Sequence, residues 1–337
     1  MPIKRLTVRR RASEGGRVLP DVPAPAGLEA GSCGLVRALM AAIQHAGVPV
    51  GYDALMGLSG IAFMLTMPDG PTDLRTSDLT ASRVLEGIRA VGLGANAQVF
   101  EAGSKPVADL VQGAVDAGRA VALLGWPNDG DDWSVITGYD PSRGIICGWP
   151  AHYRADSYLG AEPGGSAALL LQAGAEPTQQ PQAVRQALAW ALQQAPRVAE
   201  TYEQWATSLE GEWGTDPEDP EMLRAVGAHE ALCERLTDGR LSAARFLGHC
   251  VDMFSAVCSP WLAKAAQAYQ AAAETLEARQ PPVHDDRILQ ALVSPEWRQE
   301  WALTLQTVAS HDAEAADCLR RFLKGDPLPA GGDGWVP

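Results

Sequence analysis

Apolar residues recur at Leu35, Val36, Leu39, Met40 and Ile43 directly after the Pro-rich lead-in LPDVPAPAG. This spacing predicts an amphipathic helix from Cys33 to Ala46, with Cys33 at its N-terminal edge. The pattern then predicts a short helix around Tyr52 to Leu58, a strand-like run GIAFMLTM, a helix from Ser82 to Val91, a strand from Gln98 to Glu101 and a helix from Val107 to Ala117. Three strand signals follow closely, AVALLGW, WSVITGYD and GIICGW. The segment DPSRG between the last two supplies Pro and Gly where a hairpin turn needs them. A further strand, AALLLQA, precedes the polar stretch GAEPTQQPQ. From about residue 180 the period becomes helical throughout, as in Val198, Tyr202, Trp205, Leu209 and again in Trp297, Trp301, Leu305, Val308. Pro196, GTDPEDPE, Ser259-Pro260 and QPPVHDD punctuate this half.

These elements define an α+β chain in which an antiparallel sheet domain is followed by an all-α bundle. The expected organisation is an N-terminal arm or strand over 1–24, an α+β domain over 25–175, a helical bundle over 180–325 and a flexible tail over 326–337. The 337 residues include 46% apolar and 20% charged ones, which suits a buried core rather than general disorder.

The net charge of −14, with Lys only at positions 4, 105, 264 and 324, argues against a nucleic-acid partner, because phosphate neutralisation needs clustered cations. The one basic run, Lys4 to Arg11, reads as an opening strand or solvated arm. No stretch reaches the roughly 18 apolar residues that a membrane span requires, and the start lacks the apolar core of a secretory signal. A cytoplasmic protein without a membrane partner is expected. The six cysteines, at positions 33, 147, 233, 250, 258 and 318, show no CxxC pairing. That spacing suits a reducing compartment and speaks against a disulfide framework or a structural metal site, and no cofactor motif is present.

The chemistry suggested by the sequence centres on GSCGLVRALMAA. A thiolate is the reactive form of cysteine, and the positive end of a helix favours it without help from a charged side chain. Gly31 and Gly34 flank Cys33 and would let a substrate backbone approach, leaving the Cys33 amide to donate to an oxyanion. The plain alternative is a small buried hydrophobe at a helix start. Asp129, Asp131 and Asp132 in NDGDDW make an acidic loop, either a solvated turn or an attractor for a cationic ligand such as an amine, an aminoglycoside or a polyamine. Trp126, Trp133 and Trp149 are assigned mainly to the core, with one lining a pocket. Tyr139 and Asp140 shape the hairpin or contribute to binding. His229 and Cys233 share a helical face at i, i+4 and read as packing rather than a metal pair.

The order of elements resembles the papain-like cysteine peptidase clan as represented by bacteriocin-leader peptidases, through a Cys at a helix start, a helical subdomain and a strand pair written WSVITGYD and GIICGWP. A closer likeness is to the butirosin-type acyltransferases, over Cys33 to Phe63 and Asp132 to Asp140, with a weaker likeness at Tyr202, Trp205, Leu209 and Leu241 to Leu247. The resemblance implies a bacterial protein with a papain-like first domain and Cys33 as the nucleophile. It places the proton-accepting histidine at the residue before Trp133, which here is Asp132. It places the oxyanion glutamine at Gly27 and the Asn or Asp that orients the histidine near Gly148. A carboxyl with an ordinary pKa of about 4 is a poor base for a thiol near 8.5, and its charge opposes a neighbouring thiolate.

His152 is the first-half histidine downstream that could take the missing role, because His45 lies at the far end of the Cys33 helix, about 18 Å away. The site expected from these readings comprises Cys33, Asp132 and His152 as catalytic groups, with Gly34, Asp131, Trp133 and Tyr139 against the substrate. The corresponding function is Cys33-dependent acyl transfer, or thioester or amide hydrolysis, with an acyl-carrier thioester and a small-molecule amine as partners. The alternative is a papain-like pseudoenzyme that binds a small molecule or a protein. The helical half offers either a lid or a homodimer surface.

Overall fold

The computed structural model describes residues 15–28, 31–65, 78–100, 105–127, 133–150, 158–172, 180–211, 220–279 and 294–325. The fold is mixed α+β, with eight α-helices and a seven-stranded antiparallel sheet among the described residues. The chain divides into two compact units, and the division is not a simple cut. The described residues up to Ser59 and from Asp78 to Gln180 form the first unit; residues 60–65 join those from Pro181 onward in the second.

In the first unit the helices are α1 (Gly34–His45), α2 (Tyr52–Leu58), α3 (Asp78–Ala90) and α4 (Lys105–Asp116). The strands are β1 (Arg17–Val18), β2 (Gly94–Val99), β3 (Val121–Leu124), β4 (Trp133–Asp140), β5 (Ile145–Pro150), β6 (Leu159–Ala161) and β7 (Ala167–Gln172). The sheet order is β2-β7-β3-β4-β5-β6, with β1 also pairing with β4 at Arg17–Tyr139 and Val18–Gly138. Every residue of β3 and β5 is buried, which explains why these strands read as continuous apolar runs instead of alternating ones. Helices α1 and α4 both pack against β3 and β4. The α1 face that does so consists of the residues whose spacing predicts it, since Leu35, Val36, Leu39, Met40 and Ile43 are all buried. Trp126, Trp133 and Trp149 are buried too, so all three belong to the core.

The β4–β5 hairpin closes at Asp140, whose carboxylate accepts hydrogen bonds from the Ser142 amide at 3.1 Å and the Ser142 hydroxyl at 2.7 Å. A bulge in β4 between Ile136 and Gly138 lies beside Gly148 of β5. A Cβ at Gly148 would fall on the carbonyl oxygen of Val135 and 2.9 Å from the Cα of Ile136. The position therefore admits no side chain.

The second unit contains α5 (Gln180–Glu210), α6 (Pro220–Cys250), α7 (Ser259–Glu277) and α8 (Pro295–Lys324). The expected break at Pro196 does not occur, because α5 runs through it. Pro196 is exposed, so the carbonyl left without its helical donor can turn to water. Pro260 lies in the first turn of α7, where proline fits, and Ser294 caps α8 by accepting from the Trp297 amide at 3.3 Å.

Three local expectations are corrected. The run beginning at Gly60 is not a strand: Gly60 has a left-handed φ of 77° and Ile61–Phe63 form a 3-10 turn, with Ala62, Phe63 and Leu65 buried. Its apolar character reflects insertion among the helices, not pairing in the sheet. Strand β2 occupies Gly94–Val99, earlier than Gln98 to Glu101, since its register on β7 starts at Gly94–Gln172. Helix α3 begins at Asp78 rather than Ser82. The Lys4 to Arg11 run and the tail over 326–337 lie outside the described residues.

The crowding at Gly148 yields a direct expectation. Gly148→Ala should destabilise the protein by about 3 kcal/mol or more, read by chemical denaturation, because the methyl group meets backbone rather than a movable side chain.

Candidate thiol site

Cys33 is the N-cap residue of α1, with extended φ and ψ of −67° and 105°, and its carbonyl accepts the Arg37 amide at 3.0 Å. It is partly exposed, whereas the free thiols Cys147, Cys233, Cys250, Cys258 and Cys318 are all buried. Burial pushes the Cys147 thiol up to about 11 and the Cys250 thiol up to about 12, so neither forms a thiolate at neutral pH.

The Cys33 amide does not stand open to a ligand oxygen, as the two flanking glycines suggest. It donates to the Tyr52 hydroxyl at 2.8 Å. Tyr52 is the first residue of α2 and is only 6% exposed, so packing between the two helix starts holds its ring in place. Its oxygen occupies the distance from the Cys33 N–H at which an oxyanion would sit. Arg37, one turn beyond Cys33, is half-buried, and its Nε is buried with no hydrogen-bond partner among the described residues.

Of the remaining predicted site residues the structure describes Gly34, Trp133 and Tyr139. Asp131, Asp132 and His152 lie outside the described residues. Gly34 is buried as the first residue of α1, and Trp133, 6% exposed, opens β4 inside the core. Tyr139 stands six residues further along β4, about 20 Å from Trp133 at the rise of a strand. Its hydroxyl donates to Asp116 at 2.7 Å, and Arg17 donates to the Asp116 carbonyl at 3.0 Å. The hydrogen bond to Asp116 raises the Tyr139 pKa. Tyr139 thus ties β4 to the end of α4. Gly148, where the papain-like pattern would set an orienting Asn or Asp, is the closed position described above.

The second unit contains a cysteine and a histidine within reach of each other. Trp205 donates its indole N–H to His229 Nδ1 at 3.2 Å, which puts the ring proton of neutral His229 on Nε2, facing the Cys233 sulfur at 3.6 Å. Trp205, Trp297 and Trp301 surround the imidazole with ring centroids 5.5, 5.6 and 4.8 Å away. Burial lowers the His229 pKa to about 4 and raises that of Cys233 far above its ordinary value. Both groups are uncharged at pH 7 and sealed in the bundle core. They pack, as their shared face suggests, and are not a nucleophile–base pair.

Tyr52 and Arg37 are the two residues of the site that sequence reasoning misses. Arg37 leaves a trace, a charge on an otherwise apolar helix one turn from the cysteine. Tyr52 leaves none, because its meeting with Cys33 depends on how α1 and α2 dock. No model of a known protein family matches the chain, and no curated protein matches it.

The buried histidine gives a pH dependence of defined sign. Between about 6.5, its ordinary value, and about 4, the unfolded chain binds a proton at His229 that the folded chain does not. Stability should therefore fall as pH drops through this window, by roughly 3 kcal/mol from this group. Denaturation midpoints measured from pH 7 to pH 4 should flatten in His229→Leu relative to wild type. Equal slopes for the two proteins would assign the loss to other groups.

Proposed function

We propose that the protein is a cysteine-dependent acyltransferase of papain-like architecture that uses Cys33 to accept an acyl group from a thioester and pass it to an amine. The observation that carries this reading is the placement of Cys33: it is the one cysteine that is not buried, at the N-cap of a helix packed on the sheet, with Arg37 one turn away. Its sequence surroundings resemble butirosin-type acyltransferases.

The Cys33 thiolate attacks the thioester carbonyl, a C–S bond forms to Cys33, and the carrier thiolate leaves. An amine then attacks the acyl-cysteine, the Cys33 thiolate departs, and the proton of the new ammonium passes to a base. Asp132 and His152 are the candidates for that base, and Asp131 and Asp132 supply charge complementary to a cationic amine. A thiolate leaves without being protonated, whereas an amine does not, so an aspartate at the position where the clan has its histidine favours thioester substrates over peptide bonds. The carbonyl oxygen would take the Cys33 N–H from Tyr52.

A second reading is a papain-like pseudoenzyme that binds a small molecule or a protein. Two observations favour it: Tyr52 occupies the Cys33 amide, and Gly148 admits no side chain. The two readings part at the sulfur. On the enzyme reading, iodoacetamide at pH 7 labels Cys33 at least about tenfold faster than any other cysteine. Cys33→Ala lowers transfer from an acyl thioester to an aminoglycoside or polyamine by roughly a thousandfold or more. Tyr52→Phe, which releases the amide, acylates at least as fast as wild type. Full transfer activity in Cys33→Ala would eliminate the enzyme reading.

A further inference from the structure

The helical unit holds six residues that the chain delivers from its first half, and it holds them by backbone as well as side chain. Arg240 of α6 is 1% exposed, a position that an arginine tolerates only if its donors are met. On one side it pairs with Asp312 of α8, Nε lying 2.9 and 3.0 Å from the two carboxylate oxygens and Nη2 2.5 Å from one of them. Tyr202 of α5 donates its hydroxyl to the same carboxylate at 2.8 Å. On the other side Arg240 Nη1 donates to the carbonyls of Ala62 at 3.0 Å and Met64 at 3.3 Å. The Thr201 hydroxyl lies 3.4 Å from the Leu65 carbonyl.

The side chains of the same segment are anchored independently. Phe63 packs against Phe246 and Tyr269 with ring centroids 6.4 and 5.7 Å away, and Leu65 belongs to the core cluster of Tyr202, Trp205 and Leu236. Gly239 of α6 faces the Ala62 carbonyl at a distance where a Cβ would lie only 3.2 Å away. Arginine donors, an aromatic slot and a glycine approach therefore converge on one short stretch of irregular backbone.

We infer that residues 60–65 are an obligate internal ligand of the helical unit, which carries a peptide-binding groove floored by Arg240 and folds only with that groove filled. The kind of partner the groove fits is stated by its contacts: an apolar segment with an aromatic residue between two carbonyls that point to one guanidinium. Vacating it leaves Arg240 with donors unmet in an apolar site and exposes the slots for Phe63 and Leu65. Folding of the helices is thereby linked to occupancy by the segment, as it would be to any ligand that binds the folded form alone. Covalent attachment supplies that ligand at high effective concentration.

Hydrogen exchange with mass spectrometry on the full-length chain tests this, because it reads the two units separately. Phe63→Ser should raise exchange over α5, α6, α7 and α8 by about tenfold or more while β3, β4 and β5 keep wild-type protection. Arg240→Gln, acting from the bundle side, should give the same regional pattern. A synthetic peptide of residues 60–65 with solubilising lysines at its amino end, added to Phe63→Ser, should restore protection of the helices, and a scrambled peptide should not. Unchanged helices in either variant, equal loss in both units, or no restoration by the peptide would overturn the inference.

Discussion

The burial of one face of α1 against β3 and β4 is the contact on which the first unit depends. Leu35, Val36, Leu39, Met40 and Ile43 are removed from water by it, each contributing about 2 kcal/mol before the entropy of ordering is charged against it. Rotating α1 to present another face would bury Arg37 and expose this set. The direction in which the start of the helix points is therefore fixed by its core face. Cys33 inherits a partly exposed position at the N-cap, next to the N–H groups that a helix leaves without intrahelical partners. The candidate chemistry is a consequence of packing.

The second unit meets a different constraint. Its core contains a charge, Arg240, that hydrophobic packing alone would reject. The guanidinium is accommodated because Asp312 compensates the charge, the Tyr202 hydroxyl accepts from Nη2 and the backbone carbonyls of Ala62 and Met64 accept from Nη1. His229 illustrates the opposite solution in the same core: with only Trp205 and Cys233 at its ring nitrogens and tryptophans around it, it stays neutral.

Much of this organisation is legible in the sequence. The helical period after Leu35, the three strand runs from Ala120 to Trp149 and the change of period near residue 180 all correspond to elements, since each is written in burial pattern and burial dominates there. The stretch from Gly60 is not legible, because an apolar run of that length has no period that separates a strand from an inserted segment, and what decides it is an arginine 180 residues later in round terms. Pro196 misleads for a related reason: its helix continues because tertiary packing holds both sides of it. At the site, the placement of Cys33 at a helix start follows from the sequence. The capture of its amide by Tyr52 and the closed space at Gly148 do not, since both are properties of how elements dock.

If the Cys33 sulfur accepts an acyl group, as proposed, the acyl-enzyme can be observed. The protein is mixed with a short-chain acyl thioester in the absence of any amine, and its intact mass and peptide map are recorded by mass spectrometry. A mass increase of one acyl group is expected, located on Cys33, absent from Cys33→Ala and discharged on adding a polyamine. An unmodified Cys33 under conditions in which the thioester is intact and in excess, or acylation of Cys33 no faster than that of a simple thiol in solution, would contradict it.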